Sequence, residues 1–300
     1  MAVSADNRTV ITAGKPNGGA GVALGTIVRY ALLSLAALIA FAPFLLSLLG
    51  TFKSNAELTA FPPSILPERW TLDTWTRVWN FTLPSVEGRV LPRWLFNSTW
   101  LALVNVAAQL FFCSLAAYAF ARIRFPGRDL IFSLALATMA IPAAVTLLPG
   151  YVFFARLGWI DTYWPLIIPN IVTVSGIFLL RQFFLSIPKE LEEAAYLDGL
   201  GRFGTYWNIA MPLAKPALIT LGILQFQGSW NDYLKPLLFL QNVNLMTLPV
   251  GMGFFKGQYT NDFGALLVGA MFNAIPVLAL FFFFNRYYTQ SGSYSGLAGQ

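Results

Sequence analysis

The sequence EAAYLDGLGRFGTYWNIAMPLAKP, residues 193–216, is a polar and charged segment between two strongly apolar stretches. Pro188 lies just before it, and proline suits the first turn of a helix because an N–H there has no partner within the helix. Asp198-Gly199 is a typical turn pair, since glycine adopts the backbone angles that a sharp turn needs. The pattern predicts a first short helix that stops at this pair and is followed by a turn.

A second short helix is predicted over residues 202–210, and the prolines that follow end it and lead into the next apolar run. Acidic residues cluster before the turn, at the positive end of the first helix dipole. An acid-rich surface is poorly suited to an anionic lipid leaflet. We therefore interpret the segment as a docking surface for another protein rather than as an amphipathic helix that rests on lipid.

The composition places the chain in a membrane. It has 300 residues, of which 57% are hydrophobic and 11% are charged, and its mean hydropathy is +0.63. Soluble domains usually contain about 25% charged residues. We therefore predict an all-α integral membrane protein. The net charge of +6 comes from basic residues scattered at the ends of apolar runs, which favours contact with membrane lipid and argues against nucleic acid.

The residue inventory excludes several kinds of chemistry. The chain has no histidine and a single cysteine, Cys113, so an internal disulfide, a thiolate metal site and histidine-based catalysis are excluded. The glycine-rich stretch GGAGVALGT, residues 18–26, lacks the lysine of a phosphate-binding loop and is interpreted as a linker. We expect no catalytic residue, no metal and no cofactor.

Apolar runs of about 20 residues are long enough to cross a bilayer as helices, and six are predicted. A flexible N-terminal tail, an external polar connection and a C-terminal tail accompany them. The predicted spans are residues 27–49, 94–120, 130–153, 164–184, 217–240 and 263–284, within a permease domain of residues 27–285; the tails are residues 1–26 and 286–300, and the connection is residues 51–93.

The loop ARIRFPGRD, residues 121–129, predicts the orientation of these spans. It holds three arginines and one aspartate, and short loops with such a basic excess lie in the cytoplasm. With six spans, both termini and the 193–216 segment then lie on the cytoplasmic side.

Three amide side chains fall inside the second predicted span: Asn97, Asn105 and Gln109. Amides at membrane depth usually face another helix or an aqueous cavity rather than lipid. Two interpretations therefore stay open for them, hydrogen bonding between helices and the lining of a pathway.

The sequence WNDY in the fifth predicted span combines flat apolar faces with hydrogen-bonding groups, which suits the C–H faces and hydroxyl rims of sugars. A carboxylate near a span is a candidate functional group. A structural alternative is that this carboxylate caps a helix or pairs with Lys235. The candidate pathway residues here are Trp230, Asn231, Asp232 and Tyr233.

The 193–216 segment resembles the EAA loop of bacterial ABC-importer membrane subunits, whose pattern is EAA, three residues, Gly, nine residues and I-x-L-P. The match fails only at Met211, where the family has leucine. The Asp before the Gly and the sequence PLAKP, residues 212–216, are typical of the carbohydrate branch. Residues 116–132 and 229–239 are also similar to family segments, and the likeness is to the second permease of maltose-type importers, in the carbohydrate uptake 1 group.

This resemblance implies a type I importer permease fold and a division of labour. A heterodimer of two permeases would form the path, a homodimer of ATPase subunits would hydrolyse ATP at the cytoplasmic face, and an extracytoplasmic binding protein would deliver sugar. The chain itself would be no enzyme and would lie in a bacterial or archaeal cytoplasmic membrane. The EAA loop, residues 186–216, would couple to the ATPase through Glu193, Ala194, Ala195, Asp198, Gly199 and Pro212.

Two other classes of protein fit the composition less well. A secondary transporter or channel needs coupling-ion carboxylates within its spans, and the predicted spans are nearly free of acids. A membrane enzyme is disfavoured because the chain lacks histidine and offers no carboxylate pair in a plausible site.

Overall fold

The computed structural model describes residues 20–84, 86–256 and 262–296. Residues 1–19 of the predicted N-terminal tail and residues 297–300 of the predicted C-terminal tail lie outside the described residues. The chain separates into two units, residues 1–49 and residues 50–300. The described residues of the first unit all belong to one helix, α1 (Ala20–Gly50), whose last residue is the first of the second unit and which begins before the predicted span start at residue 27.

The second unit is helical apart from one antiparallel two-stranded hairpin, within the part of the chain that the structure describes. Short 3-10 turns follow α7 and α14, and a π-helical turn joins α10 to α11. Its elements are α2 (Asn55–Thr59), α3 (Asp73–Trp79), β1 (Thr82–Leu83), β2 (Val86–Arg89), α4 (Val90–Arg122), α5 (Arg128–Thr138), α6 (Ala143–Arg156), α7 (Trp164–Ile167), α8 (Val174–Ser186), α9 (Lys189–Leu197), α10 (Arg202–Thr205), α11 (Met211–Leu213), α12 (Lys215–Trp230), α13 (Leu234–Phe239), α14 (Leu248–Gly251) and α15 (Phe263–Gly296).

Four helical stretches among the described residues are long and apolar enough to cross a membrane: Gly25–Gly50, Val90–Arg122, Trp164–Ser186 and Phe263–Phe284. Two further candidates are bent pairs: α5 and α6 meet at 97°, and the stretch Arg202–Leu213 meets α12 at 76°. Pro142 lies in the first bend as the N-cap of α6, where its ring ends the preceding helix. The described residues thus contain four to six candidate spans.

The fifth predicted span does not continue past Trp230. Helix α12 ends at that residue, and a separate short helix, α13, begins at Leu234. Between them, Asp232 Oδ1 accepts a hydrogen bond of 3.3 Å from the backbone N–H of Lys235 and so caps α13. Short polar side chains favour helix ends because they compete for backbone donors. The predicted fifth span, residues 217–240, is therefore interrupted between Trp230 and Leu234.

Helix α4 is central to the second unit, and α8 and α12 pack along it in opposite directions. Gly176 at the start of α8 lies beside Cys113, and the end of α8 reaches Arg122 at the end of α4, so α8 is parallel to α4. Ser229 near the end of α12 bonds to Asn105 in the middle of α4, whereas the start of α12 packs near the end of α4. Helix α12 is therefore antiparallel to α4.

An apolar cluster packs each end of this bundle. We call the two ends the Trp94 end and the Arg122 end, after residues near the start and at the end of α4. The cluster at the Arg122 end joins α4, α5, α8, the EAA loop and α12 through Cys113, Ala117, Tyr118, Ala121, Phe132, Ile177, Leu180, Phe184, Ile187, Tyr206, Ala210, Ala214, Ala217 and Leu221. The cluster at the Trp94 end joins α3, the hairpin, α4, α12, α14 and α15 through Val78, Val86, Val90, Leu91, Trp94, Trp230, Leu248, Phe255, Ala265 and Val268.

The indole of Trp94 packs directly on a backbone. It is fully buried, and its Nε1 donates to the carbonyl of Val243 at 3.0 Å. A Cβ atom at Gly251 would overlap this ring, whereas a Cβ atom at Gly253 would meet nothing within 4 Å. The close approach of α14 to α4 therefore depends on the missing side chain of Gly251.

We expect Gly251→Ala to lower the free energy of unfolding by about 1–3 kcal/mol, because a rigid buried ring must shift to admit one methyl group. Gly253→Ala is the matched control and should cause no loss. Thermal unfolding of the detergent-solubilised protein measures both. Equal stability of the two variants would contradict the packing described here.

Candidate functional site

The first helix of the EAA loop, α9, has one buried and one exposed face. Pro188 occupies its N-cap, as the sequence pattern predicts for the helix start. Glu192 and Ala195 are buried, while Glu193 and Ala194 are exposed. Residues three apart share a helix face, so Ala195 packs within the chain, and of the EAA triplet Glu193 and Ala194 face outward.

The turn after α9 has the hydrogen bonds of a Schellman motif. The N–H of Leu200 donates to the carbonyl of Ala195 at 2.9 Å, and the N–H of Gly199 donates to the carbonyl of Tyr196 at 3.1 Å. Gly199 has a φ of 86°, in the left-handed region that glycine adopts without strain. The predicted turn at Asp198-Gly199 is therefore confirmed, and Asp198 is exposed beside it.

The second helix of the loop is held by one tyrosine. Tyr206 is 1% exposed, and its hydroxyl lies 2.7 Å from Ser114 Oγ of α4. Phe203 and Trp207 stack on each other and stay exposed. The π-helical turn Tyr206–Ala210 lies at this anchor, and such turns often occur at functional sites. Pro212, just after this turn, is exposed.

A buried ion pair joins α9 to α4. Arg122 Nε lies 3.1 Å from Glu192 Oε1, and their side chains are 7% and 10% exposed. Arg122 Nη2 also donates to the carbonyl of Phe184 at 2.7 Å and to that of Ile187. Sequence reasoning missed this pair, because it assigned Arg122 to membrane topology and Glu192 to the helix dipole. No local signal pairs two residues so distant in the chain.

The carboxyl group of Glu192 lies in surroundings that oppose its charge. Burial raises the pKa of Glu192, and the neighbouring guanidinium of Arg122 offsets part of that rise. Such a pair adds little net stability when it forms, yet removal of one partner is strongly destabilising because it leaves a buried charge unpaired.

Asn97 connects the Trp94 end of α4 to the loop before α14. Its Nδ2 donates to the carbonyl of Asn244 at 2.8 Å and to that of Met246 at 2.9 Å. The side chain is buried, so in this conformation it joins α4 to the loop before α14.

The two deeper amides of α4 bond to neighbouring helices. Asn105 Nδ2 donates to Ser229 Oγ at 3.0 Å, and Gln109 Nε2 donates to Thr173 Oγ1 at 2.5 Å. Both side chains are buried, and among the described residues their carbonyl oxygens have no hydrogen-bond partner. The amide nitrogens therefore bridge helices, as one interpretation predicts, while the oxygens do not. The lining of a pathway stays a prediction.

The sequence WNDY is divided between core and surface. Trp230 is 1% exposed and donates from Nε1 to the carbonyl of Asn273 at 2.9 Å. Asn231 Oδ1 accepts from Asn273 Nδ2 at 2.9 Å, and Asn231 and Tyr233 are exposed. Both oxygens of Asp232 face Lys235, since Oδ2 lies 3.8 Å from its Nζ, which favours the structural alternative for this carboxylate.

The structure thus places the predicted site residues at the two ends of the bundle and along the helix between them. The EAA loop lies at the Arg122 end of the bundle, and Trp230 packs into the cluster at the Trp94 end. The three amides are distributed along α4 between the two ends.

Comparison with known proteins identifies the family. The sequence profile described as "binding-protein-dependent transport system inner membrane component" matches residues 109–291. The chain belongs to this family. It is 34% identical over 265 residues to the arabinooligosaccharides transport system permease protein AraQ of Halalkalibacterium halodurans, covering 88% of this chain and 93% of that protein. It is 28% identical over 268 residues to the lactose transport system permease protein LacG of Rhizobium radiobacter, covering 89% and 94%.

A solved structure has the same fold. It is a bacterial ABC transporter involved in the import of the acidic polysaccharide alginate, with a TM-score of 0.77 and 24% sequence identity, and the match covers 91% of this chain and 100% of that chain. The predicted resemblance to ABC-importer permeases is confirmed. The permease is a multi-pass protein of the bacterial inner membrane and is not an enzyme; ATP hydrolysis belongs to a separate ATPase.

We expect Gly199→Val to abolish uptake while the permease remains in the membrane. A side chain at this φ costs roughly 1–2 kcal/mol, and the strain opens the turn between the two helices of the EAA loop. Gly201→Val is the matched control, because Gly201 has φ −76° and ψ 174°, which β-branched residues favour. Uptake assays and immunoblots of membranes distinguish the two variants, and normal uptake with Gly199→Val would disprove a role for this turn.

Proposed function

We propose that this permease forms half of the translocation path of an ATP-driven, binding-protein-dependent sugar importer and couples to its ATPase through the EAA loop. The observation that carries the proposal is the EAA loop itself, a helix with exposed Glu193 and Ala194 that ends in a glycine turn. Relatives of this permease are named for the transport of arabinooligosaccharides, lactose and sulfoquinovosyl glycerol, and these names support a glycoside substrate.

The proposed topology has six spans with both termini in the cytoplasm. It counts α5 with α6 as the third span and takes α12, with its break at Trp230, as the fifth. The basic loop of residues 121–129 follows α4, and the EAA loop follows α8, so the parallel packing of these helices puts both loops at the Arg122 end. Short basic loops are cytoplasmic, which supports a cytoplasmic position for the EAA loop.

The proposed ATPase contact is the exposed side of the EAA loop. Glu193 supplies a charge, Ala194 permits close approach, and Asp198, Gly199 and Pro212 set the turn and the exit of the chain. Ala195 is buried on the opposite face of α9, where its small side chain allows the helix to pack closely against the bundle. ATP-driven closure of the ATPases would favour one of two permease conformations, because a ligand shifts an equilibrium only by binding its states unequally.

The proposed assembly contains a second permease, two ATPase subunits and an extracytoplasmic sugar-binding protein. One structural neighbour is a bacterial alginate ABC transporter in complex with an alginate pentasaccharide-bound periplasmic protein. That architecture supports delivery of the substrate to the end of the permease opposite the EAA loop.

The proposed sugar contacts lie at and below the Trp94 end. Asn231 and Tyr233 offer an exposed amide and an exposed ring, with Asp232 and buried Trp230 shaping the segment. Deeper in the bundle, the unpartnered amide oxygens of Asn105 and Gln109 are acceptors that sugar hydroxyl groups would satisfy if the helices part. Asn97 would join them only if its bonds to the loop before α14 open.

Reconstitution tests the proposal. The permease, its partner permease, the ATPase and the binding protein are placed in proteoliposomes, and ATP hydrolysis is measured with arabinotriose, lactose or no sugar. We expect the binding protein with one glycoside to accelerate hydrolysis and ATP to drive its uptake. Uptake that depends on an ion gradient and not on ATP would overturn the proposal in favour of a secondary transporter.

We expect Tyr233→Ala to reduce uptake about fivefold to tenfold at low sugar concentration, because truncation of an aromatic contact commonly costs about 1 kcal/mol or more. The control is Leu234→Ala, which truncates the adjacent exposed side chain. Initial uptake rates in the same proteoliposomes measure both. Equal rates for the two variants would exclude a direct sugar contact by Tyr233.

A further inference from the structure

Helices α4 and α8 cap each other at the Arg122 end. The last carbonyls of a helix have no partner within that helix. Arg122 at the end of α4 donates to the carbonyls of Phe184 and Ile187 at the end of α8. In return, Arg181 of α8 donates from Nε to the carbonyl of Phe120 in the last turn of α4, at 3.3 Å. Each helix thus donates a side-chain hydrogen bond to carbonyls at the end of the other, and the two ends are joined directly.

The same junction extends to α5 through an aromatic ring. The guanidinium carbon of Arg181 lies 4.3 Å from the centroid of the Phe132 ring, within the range of a cation–π interaction. Tyr118 and Phe184 pack edge to face beside it, with ring centroids 5.6 Å apart. The junction is therefore enclosed by large side chains and is poorly accessible to water.

Glu192 enters this junction from the EAA loop. Its carboxylate meets the guanidinium that already caps α8, at 3.1 Å from Arg122 Nε. The other half of the loop is bonded to the same helix, since the hydroxyls of Tyr206 and Ser114 lie 2.7 Å apart. Helix α4 is not adjacent to the EAA loop in sequence, yet it makes a polar contact with both halves of the loop.

We propose that Arg122 is a positioning residue that makes α9 move as one body with the ends of α4 and α8 when the ATPase acts on the EAA loop. The inference rests on the proposed coupling function, and it adds α4 to α8 and α12 as a helix that moves with the EAA loop. Helices α8 and α12 continue the loop covalently. Helix α4 does not, and its polar contacts with the loop are Arg122–Glu192 and Tyr206–Ser114, beside the apolar cluster at the Arg122 end. Helix α4 then carries the movement to the Trp94 end, where Asn97 holds the loop before α14.

A distance measurement tests the junction without any sugar. Lys189→Cys at the start of α9 and Arg124→Cys after α4 carry spin labels, with Cys113→Ser to remove the native thiol. In the assembled transporter we expect one narrow distance distribution that is the same with and without the magnesium complex of a non-hydrolysable ATP analogue. Glu192→Gln should broaden or shift it, because the amide keeps the shape and loses the charge.

The matched control is Glu190→Gln, which makes the same change at an exposed position of the same helix. Its distance distribution should equal that of the unchanged protein. Arg122→Lys, which keeps the charge but cannot contact the carboxylate and both carbonyls with a fork of donors, should behave like Glu192→Gln. Unaltered distributions in Glu192→Gln and Arg122→Lys would overturn the inference.

ATP hydrolysis separates positioning from a general loss of structure. In proteoliposomes with the binding protein and arabinotriose, we expect Glu192→Gln to keep basal hydrolysis and to lose about fivefold or more of its acceleration, the range of a typical coupling between sites. A parallel fall of basal and accelerated rates would indicate misfolding and contradict the positioning role. Absence of acceleration in the unchanged protein would instead count against the proposed function, and the distance measurement would still decide the inference.

Discussion

The structure depends on the need to hydrogen-bond backbone groups where helices stop inside an apolar bundle. Water is scarce there, so an unpaired N–H or C=O is costly and a side chain must replace the missing partner. The described chain meets this need at several breaks. Thr173 caps the start of α8 by accepting from the N–H of Gly176, Asp232 caps α13, and Arg122 closes the end of α8. At these three breaks, a side chain thus bonds a backbone group that the end of the helix leaves free.

Helix α4 bonds to many of its neighbours through side chains, two of which reach backbone carbonyls and three of which reach other side chains, and this explains why a mostly apolar helix holds so many polar groups. Each reaches a different neighbour: the loop before α14, α12, the start of α8, the second half of the EAA loop, or the end of α8. These side chains are Asn97, Asn105, Gln109, Ser114 and Arg122. A helix that is bonded to so many elements behaves as a common frame for them, which suits a subunit that must convert one movement into another.

The EAA loop and the WNDY segment lie at opposite ends of this frame, and the three amides of α4 lie between them. Helix α4 has 33 residues, and at a rise of about 1.5 Å per residue it is about 50 Å long. Exposed polar and aromatic groups suited to a glycoside lie toward the Trp94 end, and the EAA loop lies at the Arg122 end. The family assignment explains this separation, because a permease in a binding-protein-dependent importer meets its substrate on one side of the membrane and its ATPase on the other.

The sequence by itself determined the class of the protein and the local form of its EAA loop. Hydropathy required a helical membrane protein, and Asp198-Gly199 required a turn, because both depend on residues close together in the chain. Only the tertiary structure decided that Glu192 and Ala195 face inward, that Trp230 is buried and ends α12, and that Asn105 and Gln109 each leave an oxygen unpaired. These facts depend on packing between distant segments. The ion pair of Arg122 and Glu192 is the clearest case, since neither residue carries a local signal for the other and only the parallel packing of α4 and α8 brings them together.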